Sequence, residues 1–255
     1  MTRTPDGERM SLASAARRVA VVVALTATHA LAYRPFDGTD AAVAEPHEFE
    51  LELGPAQWSR QGVQQSWVAP AVAANWGIEG DREIVLEGKV RTLRDPSPGE
   101  HRTSLVDNAL SLKQVHRRGS LQDRTGASIA SECGLLLPEV HGEHGTGFTC
   151  AAVFSQQLQP VTCHFNAALA YARDRHVDRF FSLILEGHTA GRLRPVLELF
   201  HERENGGSGL NSLLGGVILK IADDLSLDAA TRFARTGGED IREIRAGVTW
   251  TFSMR

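Results

Sequence analysis

The chain has 255 residues, a formal net charge of −4 at pH 7 and a hydrophobic content of 42%. This acidic balance argues against nucleic acid as a partner, because nucleic-acid binding calls for a basic patch or stripe. The three cysteines are too few for a chain of this length, and odd in number, so they do not indicate a disulfide scaffold.

The N-terminus has the features of a secretory signal peptide. Two arginines stand before a short apolar run that ends on Ala30-Leu31-Ala32, the small-x-small pattern of a signal-peptidase site. The run is shorter than the roughly 20 apolar residues that a membrane-spanning helix needs. We expect residues 1–32 to be removed by cleavage before Tyr33 during export, whether translation starts at Met1 or at Met10.

Beyond this leader, the strongest signal is an alternation of apolar and polar residues with a period of two. In the final segment, Ile244, Ala246, Val248, Trp250 and Phe252 alternate with charged or small residues. Successive side chains of a strand point to opposite faces, so one face is apolar and the other is polar and charged. Similar runs predict twelve strands, near 48–54, 66–78, 82–93, 103–116, 127–138, 145–157, 161–173, 178–189, 192–203, 209–222, 224–236 and 240–253.

The length of these runs favours an all-β fold, an antiparallel up-and-down transmembrane β-barrel over residues 47–255. Most runs exceed the roughly 9–11 residues that a tilted strand needs to cross a bilayer. An even strand count puts both chain ends on the periplasmic side, with short turns there and longer loops outside, the longest at 55–65. Residues 33–46 would form a periplasmic segment or fold into the lumen as a plug. A secreted soluble β-sandwich or lipocalin-like barrel, with its apolar face inward, is the alternative.

Several short motifs resemble a known group of proteins. They are Tyr33-Arg34-Pro35-Phe36-Asp37-Gly38-Thr39-Asp40-Ala41-Ala42, Glu83-Ile84-Val85-Leu86-Glu87-Gly88, Gly134-Leu135-Leu136-Leu137-Pro138 and Gly247-Val248-Thr249-Trp250-Thr251-Phe252. Together they resemble the transporter-like outer-membrane barrels of the "MetA-pathway of phenol degradation" family. The resemblance implies an outer-membrane location and passage of small solutes, aromatic or hydrophobic in nature. It supplies no catalytic residue.

The three cysteines each lie in an apolar alternation and are interpreted as small strand residues. A bridge between Cys150 and Cys163 across one hairpin is the pairing that an oxidising compartment would allow. It is not the favoured reading.

No motif indicates an enzyme, a cofactor or a metal. The chain lacks G-x-S-x-G, H-E-x-x-H, P-loop and G-x-G-x-x-G patterns. The best metal candidate, His141-Gly142-Glu143-His144, is more simply a solvated loop, because a stable zinc site needs three or four convergent ligands. A structural or adhesive barrel without conductance and a barrel-embedded lipid-modifying enzyme remain as alternatives to a channel.

The polar face of the predicted strands supplies the candidate lumen. We expect an excess of acidic side chains there to give mild cation selectivity, outer-membrane lipids to surround the barrel, and the solute and oligomeric state to stay open. The candidate lumen-lining residues are Glu83, Glu87, Lys89, Arg91, Lys113, Glu132, His164, Glu186, Arg194, Glu198, Glu202, Lys220, Asp228, Arg232, Glu243 and Arg245.

Overall fold

A computed structural model describes residues 34–187, 192–204 and 207–254. The predicted leader therefore lies outside the described residues. The fold is a closed antiparallel barrel in which each strand pairs with its neighbours in sequence and β1 pairs with β12. The strands are β1 (Glu48–Gln61), β2 (Gln64–Ile78), β3 (Arg82–Leu93), β4 (Thr103–Arg117), β5 (Ser128–Leu136), β6 (Gly147–Leu158), β7 (Val161–Tyr171), β8 (Val177–Gly187), β9 (Leu193–Arg203), β10 (Leu210–Lys220), β11 (Leu225–Thr236) and β12 (Glu239–Ser253).

This architecture confirms the predicted all-β barrel of twelve strands. A short 3₁₀-helix, Ser120–Gln122, lies in the β4–β5 connection. In the described part of the chain, no helix is long and apolar enough to cross a membrane.

Side chains alternate between the interior and the exterior along each strand. On β8, Phe180 and Ser182 are buried, whereas Phe181 and Leu183 between and beyond them are exposed. Large apolar residues are exposed on every strand except β1, whose outward Leu51 and Leu53 are partly buried. The apolar face of the alternation is therefore the outer face, as expected for a barrel surrounded by lipid and not for a soluble sandwich.

Aromatic side chains form two levels on this outer face. Trp76 and Trp250 lie at the end that carries both chain termini, while Trp67 and Phe233 lie towards the opposite end, and each is about half exposed. From Trp67 to Trp76 the strand runs about 30 Å at roughly 3.3 Å per residue. A tilt of about 40° reduces this to about 23 Å, close to the roughly 25 Å apolar band of outer-membrane barrels.

The first hairpin corrects one predicted boundary. The predicted first strand, 48–54, continues through most of the predicted loop 55–65 as far as Gln61, and the turn that follows holds Gly62 with a φ of 55°. Pro55 caused the error, since proline cannot donate to a ladder. In the structure, Pro55 lies where the pairing of β1 with β12 shifts its register, between Leu53 and Ala56.

The run predicted at 103–116 is a strand, although Asp107 and Asn108 interrupt its alternation of apolar and polar residues. The β3–β4 pairing shifts its register between Glu87 and Lys89, at the level of Asp107, whose φ is 56°. An extra residue in one strand breaks the period of two locally. This bulge explains why the polar residues of β4 blurred the sequence pattern.

The favoured interpretation of the cysteines as unpaired strand residues holds only for Cys163. Cys133 on β5 lies directly opposite Cys150 on β6, and a disulfide joins them. Cys163 is the free cysteine and lies opposite Gln156. The bridge between Cys150 and Cys163 that the sequence would have allowed does not form, because the strand register brings a different pair together.

Candidate functional site: the lumen and its plug

The polar face predicted from the sequence lies inside the barrel. Lys220 is an exception, because its half-exposed side chain lies at the end of β10 and bonds to Asp223 at 2.8 Å. Lys89, Arg91 and Arg194 are partly buried. The buried members are Glu83, Glu87, Lys113, Glu132, His164, Glu186, Glu198, Glu202, Asp228, Arg232, Glu243 and Arg245.

Opposite charges pair across neighbouring strands in this interior. Arg194 lies 2.6 Å from Glu186, and Lys89 lies 3.2 Å from Asp107. Arg232 bonds to Glu243 at 2.9 Å. Buried charges need such partners, since an unpaired charge away from water is costly. Much of the predicted acidic excess is therefore offset within the wall.

Residues 34–46 are named here the plug, and most of the residues from 35 to 41 lie buried inside the barrel. Phe36, Asp37, Thr39 and Ala41 of the plug are buried. Their partners come from strands on all sides of the barrel, as the following contacts show. The sequence left a periplasmic segment or a lumen plug open as alternatives, and the structure places the segment in the lumen.

The plug begins with Arg34, which bridges three strands. Its backbone N–H donates to Glu52 of β1 at 2.9 Å, and its guanidinium bonds to Asp228 of β11 at 3.2 Å and to the Ala246 carbonyl of β12 at 2.6 Å. Gly247 makes this approach possible. A Cβ at that position would lie 2.0 Å from the Arg34 Nε atom.

The centre of the plug rests on Glu198 of β9. Both of its carboxylate oxygens accept backbone hydrogen bonds at 2.8 Å, one from Asp37 and one from Gly38. Gly38 passes so close to the wall that an added Cβ would lie 2.3 Å from the Ser182 hydroxyl. The carboxylate of Asp37 in turn lies 3.2 Å from Arg245. Charge-assisted hydrogen bonds of this kind are the stronger ones in proteins.

The plug then turns towards the opposite wall. Thr39 exchanges two hydrogen bonds with the Asn166 amide, at 3.1 Å and 2.9 Å. The ammonium of Lys113 donates to the Thr39 hydroxyl at 3.0 Å and lies 3.4 Å from Asp40. The N–H of Ala41 donates to Ser155 at 2.9 Å. Backbone groups of the plug thus find hydrogen-bond partners in side chains of the wall, as buried backbone groups require.

One side chain of the plug is a large apolar group. Phe36 is 5% exposed and belongs to an apolar cluster inside the barrel. The other members come from β8, β9, β10 and β11, and are Ile184, Val196, Leu214, Ile218 and Ala230. This arc of the wall is apolar, and the interior holds three further apolar clusters among its charged and polar side chains.

The plug covers part of the inner wall at its level. Glu198, Asn166, Ile184 and Leu214 are all 0% exposed, so water does not reach them past the plug. In an open channel these inward side chains would be wetted. A polar cavity of about 180 Å³ remains beside Arg34 at the end that carries the chain termini.

Contacts within the protein hold the loop 141–144. The ring of His141 stacks on His101 at 4.0 Å, and the N–H of Glu143 donates to Glu139. Burial and the neighbouring Glu139 carboxylate raise the pKa of Glu143. Within the described ranges, no group of three His, Cys, Asp or Glu side chains is placed to hold a metal ion.

Solved structures share this architecture. An outer-membrane channel from Pseudomonas putida F1, of the COG4313 group, matches with a TM-score of 0.65 at 9% identity, over 83% of this chain and 97% of that chain. The NanC porin matches with a TM-score of 0.54 at 6% identity, over 79% and 98%. The fold is that of outer-membrane channels and porins. The KdgM porin adds a TM-score of 0.50 at 7% identity, over 80% and 99%.

The likeness to these channels and porins is seen in the structure and not in the sequence. No protein-family model matches the chain, and no curated protein sequence matches it. The resemblance to the phenol-degradation family therefore stays a prediction, while the channel-type fold is shown by the structures.

Sequence reasoning found Glu198, Lys113, Asp228 and Arg245, which contact the plug, but missed other residues that hold it. Asp37 and Asp40 of the plug and Asn166 of the wall were not among the candidate site residues, although each is polar and Asn166 lies on the predicted inner face. The acidic character of the plug and the basic residues of the wall were visible in the sequence. Their pairing was not, because the partners lie up to 208 residues apart.

Proposed function

We propose that this protein is an outer-membrane channel for small aromatic or hydrophobic solutes, closed by its own N-terminal plug. The observation that carries the proposal is the position of Phe36, the one phenyl group of the plug, in an apolar pocket of a lumen that also holds many charged side chains. The channel-type fold and the apolar outer face support the location.

The contacts of the plug are compatible with opening. It is held by hydrogen bonds, ion pairs and one aromatic side chain, and both cysteines of the disulfide lie in the wall. Water can replace such polar contacts, so the net cost of breaking each one is modest, about 0.5–1.5 kcal/mol for a neutral hydrogen bond.

The pocket of Phe36 indicates the kind of solute. Ile184, Leu214 and Val196 surround a benzene ring here, and offer no charge to a polar solute. A small aromatic compound could occupy the same place once Phe36 leaves. A cavity lined by aliphatic side chains stays dry and binds apolar molecules such as benzene.

Channel activity is tested by removing the plug. We expect the wild type to show little conductance in planar bilayers, and a variant that lacks residues 35–44 after its leader to show discrete openings. A deletion of similar length in the β3–β4 loop, residues 94–101, is the control and should stay closed. A plug-free barrel that folds but never conducts would instead support the structural or adhesive alternative.

Solute class is tested separately by Phe36→Ala. This variant should bind phenol or toluene in isothermal titration, whereas the wild type should not, because its own phenyl ring fills the pocket. Adding Ile184→Gln to Phe36→Ala should weaken the binding, since an amide then enters the apolar wall. Equal binding by the wild type and Phe36→Ala would remove the support for an aromatic solute.

A further inference from the structure

The outer face carries a cluster of arginines at the end of the barrel opposite the chain termini. Arg179, Arg203, Arg235 and Arg242 all project outward and are exposed, on β8, β9, β11 and β12. Arg60 of β1 continues the cluster. Outward side chains at this level lie beside the outer leaflet if the protein sits in the outer membrane, so the inference rests on that part of the proposed function.

Two pairs of these arginines lie directly opposite each other. Arg179 faces Arg203 across β8 and β9, and Arg60 faces Arg242 across β1 and β12. Like charges opposite one another destabilise a strand pair. An anion between them would relieve this repulsion, and the two pairs lie on either side of β10 and β11.

Between the two pairs the surface forms a groove of about 500 Å³. Leu199, Leu213 and Phe233 line its apolar part, and each is about half exposed. Arg235 and Arg242 line its charged part. The register places Phe233 opposite Arg242, so the apolar surface and the positive charge are adjacent.

One acidic side chain lies in the groove. Asp240 is 3.8 Å from Arg235, and both side chains are more than 70% exposed. Glu239 nearby accepts a hydrogen bond from Gln61 at 3.0 Å. An exposed ion pair at that distance is weak, and the arginines of the patch outnumber these carboxylates. The patch therefore keeps a positive balance.

We propose that this groove binds a phosphorylated glycolipid of the outer leaflet. Its phosphates lie among Arg235, Arg242 and the flanking arginines, and its acyl chains lie on Leu199, Leu213 and Phe233. Basic pockets beside an apolar surface are a recurrent way to hold anionic lipid headgroups, and guanidinium binds phosphate in a two-pronged geometry. A soluble anion would leave the apolar part of the groove unused.

The test measures lipid binding to the full exported chain in detergent by native mass spectrometry. The probes are bisphosphorylated lipid A, the same lipid after removal of its phosphates, and inorganic phosphate. Each arginine near an anionic lipid surface strengthens binding about fivefold. We expect Arg235→Gln with Arg242→Gln to weaken lipid A binding about 25-fold, while Arg124→Gln, an exposed arginine of the β4–β5 connection, changes nothing.

The remaining arms separate the possible sources of the signal. Dephosphorylated lipid should bind the wild type no better than lipid A binds the double variant, and millimolar inorganic phosphate should not displace lipid A. Equal affinity of wild type and double variant, equal loss in Arg124→Gln, or full displacement by phosphate would each overturn the proposal. The heat-dependent gel shift of every variant checks folding, and plug-deletion conductance reports on the channel independently.

Discussion

Glu198 binds the backbone of the plug, whereas its charge alone suggests a role in ion selectivity. Both of its oxygens accept a backbone N–H of the plug at 2.8 Å, and the residue is fully buried. Glutamine has one acceptor oxygen, and its NH₂ group would face a backbone donor. We expect Glu198→Gln to loosen the plug and to raise the open probability in planar bilayers about tenfold.

The control for this variant is Glu202→Gln on the same strand. Glu202 faces the interior four residues farther along β9, about 13 Å at roughly 3.3 Å per residue. It should leave the open probability within twofold of the wild type. If both variants open the channel equally, the cause is loss of interior charge and not loss of the plug contact. Both residues would then act mainly through the cation selectivity that the sequence predicts.

His176 in the β7–β8 loop should titrate above its ordinary range. Its Nδ1 atom lies 2.8 Å from Asp174, and this ion pair raises the pKa of His176. The pair therefore stabilises the loop fully below the unfolded pKa of about 6.5, and this contribution is lost as pH rises through the higher folded value. An NMR titration of His176 should show the raised pKa, and Asp174→Asn should bring it back towards 6.5; an unchanged value in that variant contradicts the pairing.

At the scale of one strand, β12 offers two adjacent positions with opposite surroundings. Val248 lies between Leu53 and Leu227 on the outer face, whereas Thr249 borders the polar cavity beside Arg34. An arginine on the lipid face costs roughly 2–4 kcal/mol near the bilayer midplane and about 0–1 kcal/mol near the interface. Val248→Arg should sharply lower the refolding yield into lipid vesicles.

The neighbouring substitution is the control. Thr249→Arg would enter an interior that holds Glu50, Glu52 and Asp228, so the refolding yield should stay close to that of the wild type. Similar losses for the two substitutions would mean that the two faces of β12 are not chemically distinct, contrary to the period-two assignment.

The strands themselves could be predicted because each carries its own signal. Alternation along one strand needs no knowledge of its neighbours, and it located all twelve elements. Pairing between strands was not readable in the same way. Pro55 concealed the second half of β1, and only the register of β5 against β6 brings Cys133 to Cys150.

For the whole molecule, the outer surface sets the solvent in which it folds. Large apolar side chains such as Leu169, Ile244 and Phe165 are about half exposed all around the barrel, far more than a soluble monomer shows in one continuous surface. We expect the exported chain to reach its β-rich, heat-modifiable form only in detergent or lipid, as followed by gel shift and circular dichroism. Cooperative folding as a monomer in plain buffer would refute the membrane barrel.

For the candidate site, the sequence predicted which wall residues point inward but not which of them contact the plug. The inward position of Glu132, His164 and Glu186 follows from alternation within single strands, and the structure buries all three. The plug contacts depend on closing the barrel first, because Arg34 meets Ala246 across 212 positions of sequence. Such a contact leaves no periodic trace in the chain.

Because of that contact, the position of the first plug residues depends on whether the barrel has closed. Arg34 joins β1 to β11 and β12, so its full set of partners exists only after the last strands have paired with the first. Long-range closure carries the largest entropic cost and comes late in folding. A barrel stalled before closure would leave this stretch exposed in the periplasm, where a protease can cut it, so the cell could distinguish finished molecules from unfinished ones by the state of a single peptide.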